Sequence, residues 1–433
     1  MSTDNIVPYN FFNMAKKEDL SVREALSLVL EKVEILPAEE VSLLEALGRV
    51  LAAAVVATDD LPPFANSAMD GYAIQAADVT AASQDAPARL RVIADIAAGS
   101  SLTVTLHSNT AARIMTGAPL PPGADAVIPV EDTDEPWRGV ERPLPEHIAV
   151  YRAVSAGDYV RYPGEDIRAG DAVLEEGKLL RPQEIGVLAS LGVGRVAVVR
   201  RPRVAILATG DELVDVSDPL SPGKIRNSNS YAQAAQVTAL GGTPVLLGVA
   251  GDTEQAVREK LADAVRAKVD LIISSAGVSV GAYDVVKAVL DDAGGIGFWR
   301  VRMRPGKPLA FGMFHGIPYL GMPGNPVSAM VSFETFARPA ILKMGGYENL
   351  ARPSVQAVVL EAIRSDGRES YLRAIVTRDE RGYVARTTGG QGSHMMTSLV
   401  KANALLVVPE GVKEVAVGTV LTALMIDWLG GVF

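Results

Sequence analysis

The sequence has no cysteine, which removes disulfides, thiolate-held zinc, protein-bound iron–sulfur clusters and thiol nucleophiles together. Histidine is scarce: His107, His147, His315 and His394 are scattered without HExxH spacing, so a zinc hydrolase has no ligand set. Positive charge is not in excess. Lys and Arg total 41 against 51 Asp and Glu, a formal net charge of −10 that opposes a nonspecific nucleic-acid surface. Met1–Lys17 lacks a basic stretch followed by an apolar one, and the longest clear apolar run, Val50–Ala57, is far short of the roughly 18 residues of a membrane span. The expectation is a soluble, cytoplasmic protein with no nucleic-acid or membrane partner. Its metal chemistry must use oxygen ligands or ligands carried by a substrate.

What is present is an ordinary globular balance, 48% hydrophobic and 21% charged over 433 residues, too long for one hydrophobic core. Apolar spacing predicts a helix after Leu20, capped by Ser21 with Glu24 in a capping box. A second helix with an apolar exit is expected over Val41–Ala57. Residues 61–155, rich in short strands and Pro or Gly turns, read as a β-rich insert, and 156–197 return to mixed structure ending in a helix from Pro182. From 198 to 346 strand and helix alternate: Val204–Ala208, Asn229–Leu240, Thr243–Val249, Thr253–Ala267, Leu271–Ser274, Asp284–Asp292, Pro318–Gly321 and a long helix Val327–Met344. That order predicts a doubly wound parallel sheet with its ligand site at the strand ends. Residues 347–433 revert to β-type alternation, consistent with a small barrel or sandwich. The fold class expected is therefore multidomain α/β.

Three glycine-bearing loops follow apolar runs within about sixty residues: Ser275–Gly281, Arg304–Pro308 and Gly321–Pro326. Glycine lets backbone N–H groups approach an anion, so these loops point to a phosphate-bearing ligand. Asp211 and Glu212 follow Gly210 at one strand end, Asp252 follows Gly251 at the next, and Asp284 is placed at the start of a helix. Converging carboxylates there suit a hard cation such as Mg2+, although aspartate also favours helix caps without any ligand. In Trp299–Arg304 arginines alternate with apolar residues, so a single strand would show Arg300, Arg302 and Arg304 on one face, with Lys307 next. An anion site and a charge-protected edge strand both fit this pattern. Asn325 and Ser328 offer further hydrogen bonds at the Gly321–Pro326 turn.

The segments Asn66–Ala73, Arg113–Pro119, Gly164–Ile167, Thr209–Leu213, Ser274–Gly281, Pro305–Pro308, Pro323–Ser328 and Gln391–His394, in that order, resemble the molybdopterin molybdenumtransferase family, the MoeA proteins and the E domain of gephyrin. The resemblance runs from about Asp60 to the C-terminus. It implies an elongated homodimer of four-domain chains: a helical and mixed dimerisation domain (1–60 plus 156–197), a β-rich insert (61–155), a molybdopterin-binding α/β domain (198–346) and a C-terminal barrel-like domain (347–433). It implies ligation of molybdate to adenylylated molybdopterin with Mg2+-dependent hydrolysis of the adenylate and release of AMP, the dithiolene sulfurs coming from the substrate. Transient contact with a molybdopterin adenylyltransferase or acceptor molybdoenzymes follows from the same likeness.

On the matching positions Glu212, Asp252 and Asp284 would face the metal and pyrophosphate, and Arg300, Arg304 and Lys307 would neutralise phosphate or molybdate. Gly210, Asp211, Ser275, Gly277, Ser279 and Gly281, with Pro323, Gly324, Asn325, Pro326 and Ser328, would hold the pterin phosphate or nucleotide. Asp70, Thr116 and Asp166 would complete the cleft from a partner subunit, and Arg373 and Ser393 would lie near the molybdate pocket. Ala276 stands where the family often has glycine, and arginine at 300 and 304 where lysine is frequent. Rival readings are a molybdopterin adenylyltransferase on the same α/β domain, against which the N-terminal motifs count, and a gephyrin-like scaffold, for which no linker or fused module is present.

Overall fold

The structure, a computed structural model, describes residues 19–101, 103–135, 143–275, 282–291, 296–380 and 382–427. Two compact units divide the chain, one made of the residues up to Val41, Gly48–Ala52 and those from Ala197 onward, the other of Ser42–Leu47 and Ala53–Val196.

The first unit is built on a six-stranded sheet. Its strands are β1 (Arg203–Thr209), β2 (Thr243–Ala250), β3 (Leu271–Ser275), β4 (Ile296–Arg300), β5 (Pro308–Phe314) and β6 (Ile317–Met322), in the spatial order β2-β1-β3-β6-β5-β4. The run β2-β1-β3-β6 is parallel, and β5 and β4 add on as antiparallel strands. Helices α1 (Val22–Leu30), α2 (Ser228–Ala239), α3 (Glu254–Arg266), α4 (Ala282–Asp291), α5 (Pro326–Ser332) and α6 (Arg338–Met344) accompany it. The continuous apolar sequence of β1 suits a strand covered on both sides. Val204 and Ile206 pack with Val22, Ala25 and Val29 of α1 and Val237 of α2, while Ala205 and Leu207 pack with Val257 and Leu261 of α3 and Val289 of α4. With both faces closed, polar chemistry is left to the strand ends.

Local predictions meet the structure unevenly. The Ser21–Glu24 capping box forms, Ser21 N donating to Glu24 Oε2 at 2.8 Å and Glu24 N to Ser21 Oγ at 3.2 Å. The helix expected over 41–57 is a single turn, Leu43–Ala46, after a strand, Ala38–Ser42. Leu44 is 82% exposed, so its apolar character marks no buried stripe. Asp252 is not a helix cap: Thr253 is, its Oγ1 accepting from Ala256 N at 3.2 Å. Asp284 lies inside the first turn of α4 and not ahead of it. The long helix over 327–344 is α5 and α6 joined by a π-helical stretch, Phe333–Ala337.

The largest departure is at 299–304. Trp299, Val301 and Met303 are buried as the alternation requires, but β4 ends at Arg300, and Met303–Arg304 leaves the sheet to pair in parallel with Glu369 and Ser370. Arg302 is consumed by an ion pair with Glu410 and a bond to the Asp19 carbonyl. One shared arginine face does not form.

Glu369 and Ser370 begin a barrel strand. β7 (Ser354–Val359), β8 (Glu369–Asp379), β9 (Gly382–Thr387), β10 (Ala404–Val408) and β11 (Val420–Met425) close as the ring β8-β9-β7-β11-β10-β8. Ala357, Val376, Ala385, Leu406 and Ala423 fill it.

The second unit holds a five-stranded sheet in the order Ala126–Pro129, Gly71–Ile74, Thr110–Ile114, Ala88–Ile96, His147–Val150. Its Pro182–Ser190 helix carries proline in the first turn, where no N–H is needed. Gly71 is fixed by close approach: a Cβ there would collide with the Ile128 carbonyl oxygen and lie 3.0 Å from Pro129 Cα. Gly71→Ala must therefore push the edge strand Ala126–Pro129 away from its neighbour, and denaturant titration should show a loss of about 1–3 kcal/mol or more; unchanged stability would mean that the approach is not tight.

Candidate functional site

A cavity of about 290 Å3 lies in the first unit, where the Met303–Arg304 segment meets the barrel. Arg304, Lys307, Ser328, Arg368, Arg373 and Ser393 line it. Five of these six were expected from sequence and are brought together from four separate stretches. Arg304 and Lys307 come from the loop entering β5, Ser328 from the first turn of α5, Arg373 from β8 and Ser393 from the loop before Thr397–Val400. Val327 N donates to Ser393 O at 3.0 Å, which ties α5 to that loop. Asn229 Nδ2 donates to Gly324 O at 2.8 Å, fixing the Pro323–Pro326 turn. Asn325 occupies the cap position of α5 without a side-chain cap bond, and Pro326 begins the helix.

Arg373 is 1% exposed. Its Nε donates to Ser398 Oγ at 3.0 Å and its Nη2 to Gly392 O at 3.1 Å. Gln391 grips the same residue's backbone, accepting from Arg373 N at 2.9 Å and donating to Arg373 O at 3.1 Å. All of these partners are neutral. Burial, with Arg304 nearby, pulls the Arg373 pKa down to about 10, so the group remains a cation at neutral pH while its charge is poorly solvated. Arg368 and Arg304 share Asp366: Arg368 Nε donates to Asp366 Oδ2 at 3.1 Å, and Arg304 Nη1 lies 3.9 Å from that oxygen. The Arg368 guanidinium holds the Asp366 carboxyl below its usual range. An oxyanion entering here meets four cations whose only paired carboxylate among the described residues is Asp366.

The acidic rim is a separate feature. Asp211 and Asp252, at the ends of β1 and β2, hold each other: Asp211 N donates to Asp252 Oδ2 at 3.3 Å and Asp252 N to Asp211 Oδ1 at 3.2 Å. Glu212 folds its carboxylate over Gly210, whose φ of +143° and crowded Cβ position demand glycine. Lys224 Nζ bonds the Asp211 carbonyl. Among the described residues no group of three carboxylates or imidazoles is placed to hold a metal. Asp211 and Asp252 each keep one oxygen outside the reciprocal bonds, which fits Mg2+ in its common mode of one or two carboxylates plus phosphate oxygens and water, but not an all-protein cage.

Other expected residues are placed as follows. Ser275 is buried at the end of β3, and Arg300 is exposed at the end of β4 and does not line the cavity. Gly277, Ser279, Gly281 and Ala276 lie outside the described residues, as does the Asp284 side chain. In the second unit Asp70 and Thr116 come together, Thr116 N and Oγ1 both donating to Asp70 Oδ1 at 2.7 Å. Asp166 N bonds Leu61 O at 3.0 Å in the same unit.

Three family profiles match successive parts of the chain: "MoeA N-terminal region (domain I and II)" over residues 20–192, "Probable molybdopterin binding domain" over 205–343 and "MoeA C-terminal region (domain IV)" over 356–426. The chain belongs to the MoeA family. It is 41% identical over 408 residues to molybdopterin molybdenumtransferase 2 of Mycobacterium tuberculosis, covering 93% of this chain and 98% of that protein. The Nostoc molybdopterin molybdenumtransferase is 39% identical over 402 residues, 90% of each chain. A crystal structure of the MoeA protein of Pyrococcus horikoshii OT3 superposes with a TM-score of 0.77 at 32% identity, covering 94% of this chain and all of that one.

Within this MoeA chain the residues that sequence reasoning missed are Asp366, Arg368 and Ser398. Asp366-Gly-Arg368 reads as an ordinary turn, and nothing in it announces a side chain pointing to a cavity formed by residues sixty positions earlier. Gln391 was seen only as part of a motif.

Because the Asp366 pKa lies below the ordinary 3.8, its pairing stabilises the fold above that pH and is lost as pH falls through the lower folded-state value. Asp366→Asn should therefore cost little at neutral pH, since the pair is partly exposed. The stability gap to wild type in denaturant titrations should shrink as pH drops below the usual carboxylate range. A gap independent of pH would dismiss the pairing as a stabilising contact.

Proposed function

We propose that the chain is a molybdopterin molybdenumtransferase that inserts molybdate into adenylylated molybdopterin, hydrolysing the adenylate and releasing AMP. The observation that carries this reading is the buried Arg373 cation held by neutral partners in a cavity with Arg304, Lys307 and Arg368. A tetrahedral oxyanion supplies the missing compensation, and the Ser328 and Ser393 hydroxyls add directional donors. The cysteine-free sequence agrees with it, because the sulfur ligands of the metal then belong to the substrate.

Arg304 and Lys307 neutralise the oxygens of molybdate or of the substrate phosphate as the two approach each other, and Arg373 fixes the orientation of the oxyanion. Water adds to one phosphorus of the phosphoanhydride and the other phosphate leaves, giving AMP and the pterin phosphate. Asp252 and Asp211, with Glu212 beside them, would hold Mg2+ together with phosphate oxygens and water, and the family likeness adds Asp284 of the helix after β3 to that set. When bound, the ion supplies charge neutralisation at the pyrophosphate oxygens. Ser275 and the Pro323–Ser328 turn receive the phosphate end of the substrate. In this reading Asp70, Thr116 and Asp166 belong to a cleft completed in a cytoplasmic homodimer. Substrate arrives from an adenylyltransferase, and product passes to acceptor molybdoenzymes.

The purified protein with adenylylated molybdopterin, molybdate and Mg2+ should release AMP and yield cofactor that activates an apo molybdoenzyme. Lys307→Ala should lower that turnover by about 10- to 100-fold, the scale of a lost charged hydrogen bond, and chelation should lower it further. Consumption of ATP to build the adenylate, with no AMP released from it, would move the chain to the adenylyltransferase class.

A further inference from the structure

The described residues bury four arginines: Arg49, Arg113, Arg338 and Arg373. Three of them face a carboxylate, Arg49 with Glu39, Arg113 with Asp95 and Arg338 with Glu334 at 3.9 Å. Arg373, the most buried at 1% exposure, has no carboxylate within ion-pair distance among the described residues. Its place is taken by Ser398, itself 4% exposed, whose hydroxyl accepts from Arg373 Nε at 3.0 Å and donates to Met395 O at 2.6 Å. The second bond fixes the direction of the hydroxyl, so that its lone pair and not its proton meets the guanidinium. Gly392 O satisfies Nη2. No bond to Nη1 is made within the described residues.

A buried guanidinium is ordinarily compensated by an acid, and removing the acid is costly. Orienting it with a hydroxyl and a carbonyl gives the planar fork a fixed direction without cancelling its charge. We propose that Ser398 is a positioning residue for oxyanion binding, a neutral anchor that aims Arg373 into the cavity and leaves its charge for the incoming anion. This rests on the oxyanion reading of the cavity given above. Ser398 touches no substrate; it acts through Arg373.

The test uses the full chain, calorimetric titration with molybdate and thermal melting in parallel. Arg373→Ala reports on the cavity itself and should abolish binding. Ser398→Ala should weaken molybdate binding by about 3- to 10-fold, the range of one hydrogen bond, and Ser398→Thr, which keeps the hydroxyl, should restore it to within about twofold of wild type. Ser398→Asp should lose binding by more than about 30-fold while melting no lower than Ser398→Ala, because the added carboxylate pairs with Arg373 inside the fold. A purely structural serine would move melting and leave affinity alone. Wild-type affinity in Ser398→Ala or Ser398→Asp, with Arg373→Ala inactive in binding, overturns the Ser398 proposal and keeps the oxyanion site. Absence of molybdate binding by the wild type, indistinguishable from Arg373→Ala, overturns both.

Discussion

The site depends on a two-residue graft. Met303 and Arg304 leave the central sheet and pair with Glu369 and Ser370 at the start of a barrel strand. Without that ladder Arg304 and Lys307 would belong to one substructure and Arg368 and Arg373 to another. With it, four cations surround one cavity in a chain whose overall charge is negative. Cations so close repel one another. Asp366 relieves part of that repulsion by serving Arg368 and Arg304 together, and the burial of Met303 anchors the graft from below. The remaining imbalance is concentrated on Arg373, where an anion has most to contribute.

Much of the α/β domain was legible because its signals are local. The apolar runs of β1 and β3, the helix expected over Thr253–Ala267 and, ahead of that domain, the capping box at Ser21 each read correctly from local sequence. What failed depended on distance. The Val41–Ala57 segment carries helix formers, but Leu44 and Leu47 are left at the surface, and Gly48 turns the chain with φ +73° after one helical turn. In Trp299–Arg304 the inside-outside alternation was right and the single strand was wrong, since alternation does not reveal which ladder each residue joins.

The candidate site divides in the same way. Residues in motifs, namely Arg304, Lys307, Ser328, Arg373 and Ser393, were identified and do converge. Those that give the convergence its physical character were not: Ser398 and Asp366 sit in unremarkable sequence and matter only through a guanidinium brought to them by folding. At the acidic rim Asp211 and Asp252, both expected at the strand ends, hold each other by reciprocal bonds that the sequence does not announce. Glycine at 210 then lets Glu212 fold back beside them. Family membership rests on full-length similarity, whereas the cationic character of the cavity is read from a buried guanidinium with no carboxylate partner among the described residues.

β8 is eleven residues long and has two duties. Its first residues receive the graft, Ser370–Ala374 with Arg373 among them pair with β10, and Ala374–Asp379 pair with β9 to close the barrel. Cavity wall and barrel stave are therefore the same piece of backbone. Loosening the C-terminal ring by weakening its apolar filling also releases the guanidinium from its seat, so this domain is a structural wall of the cationic cavity and not an appendage that drifts in sequence without disturbing it.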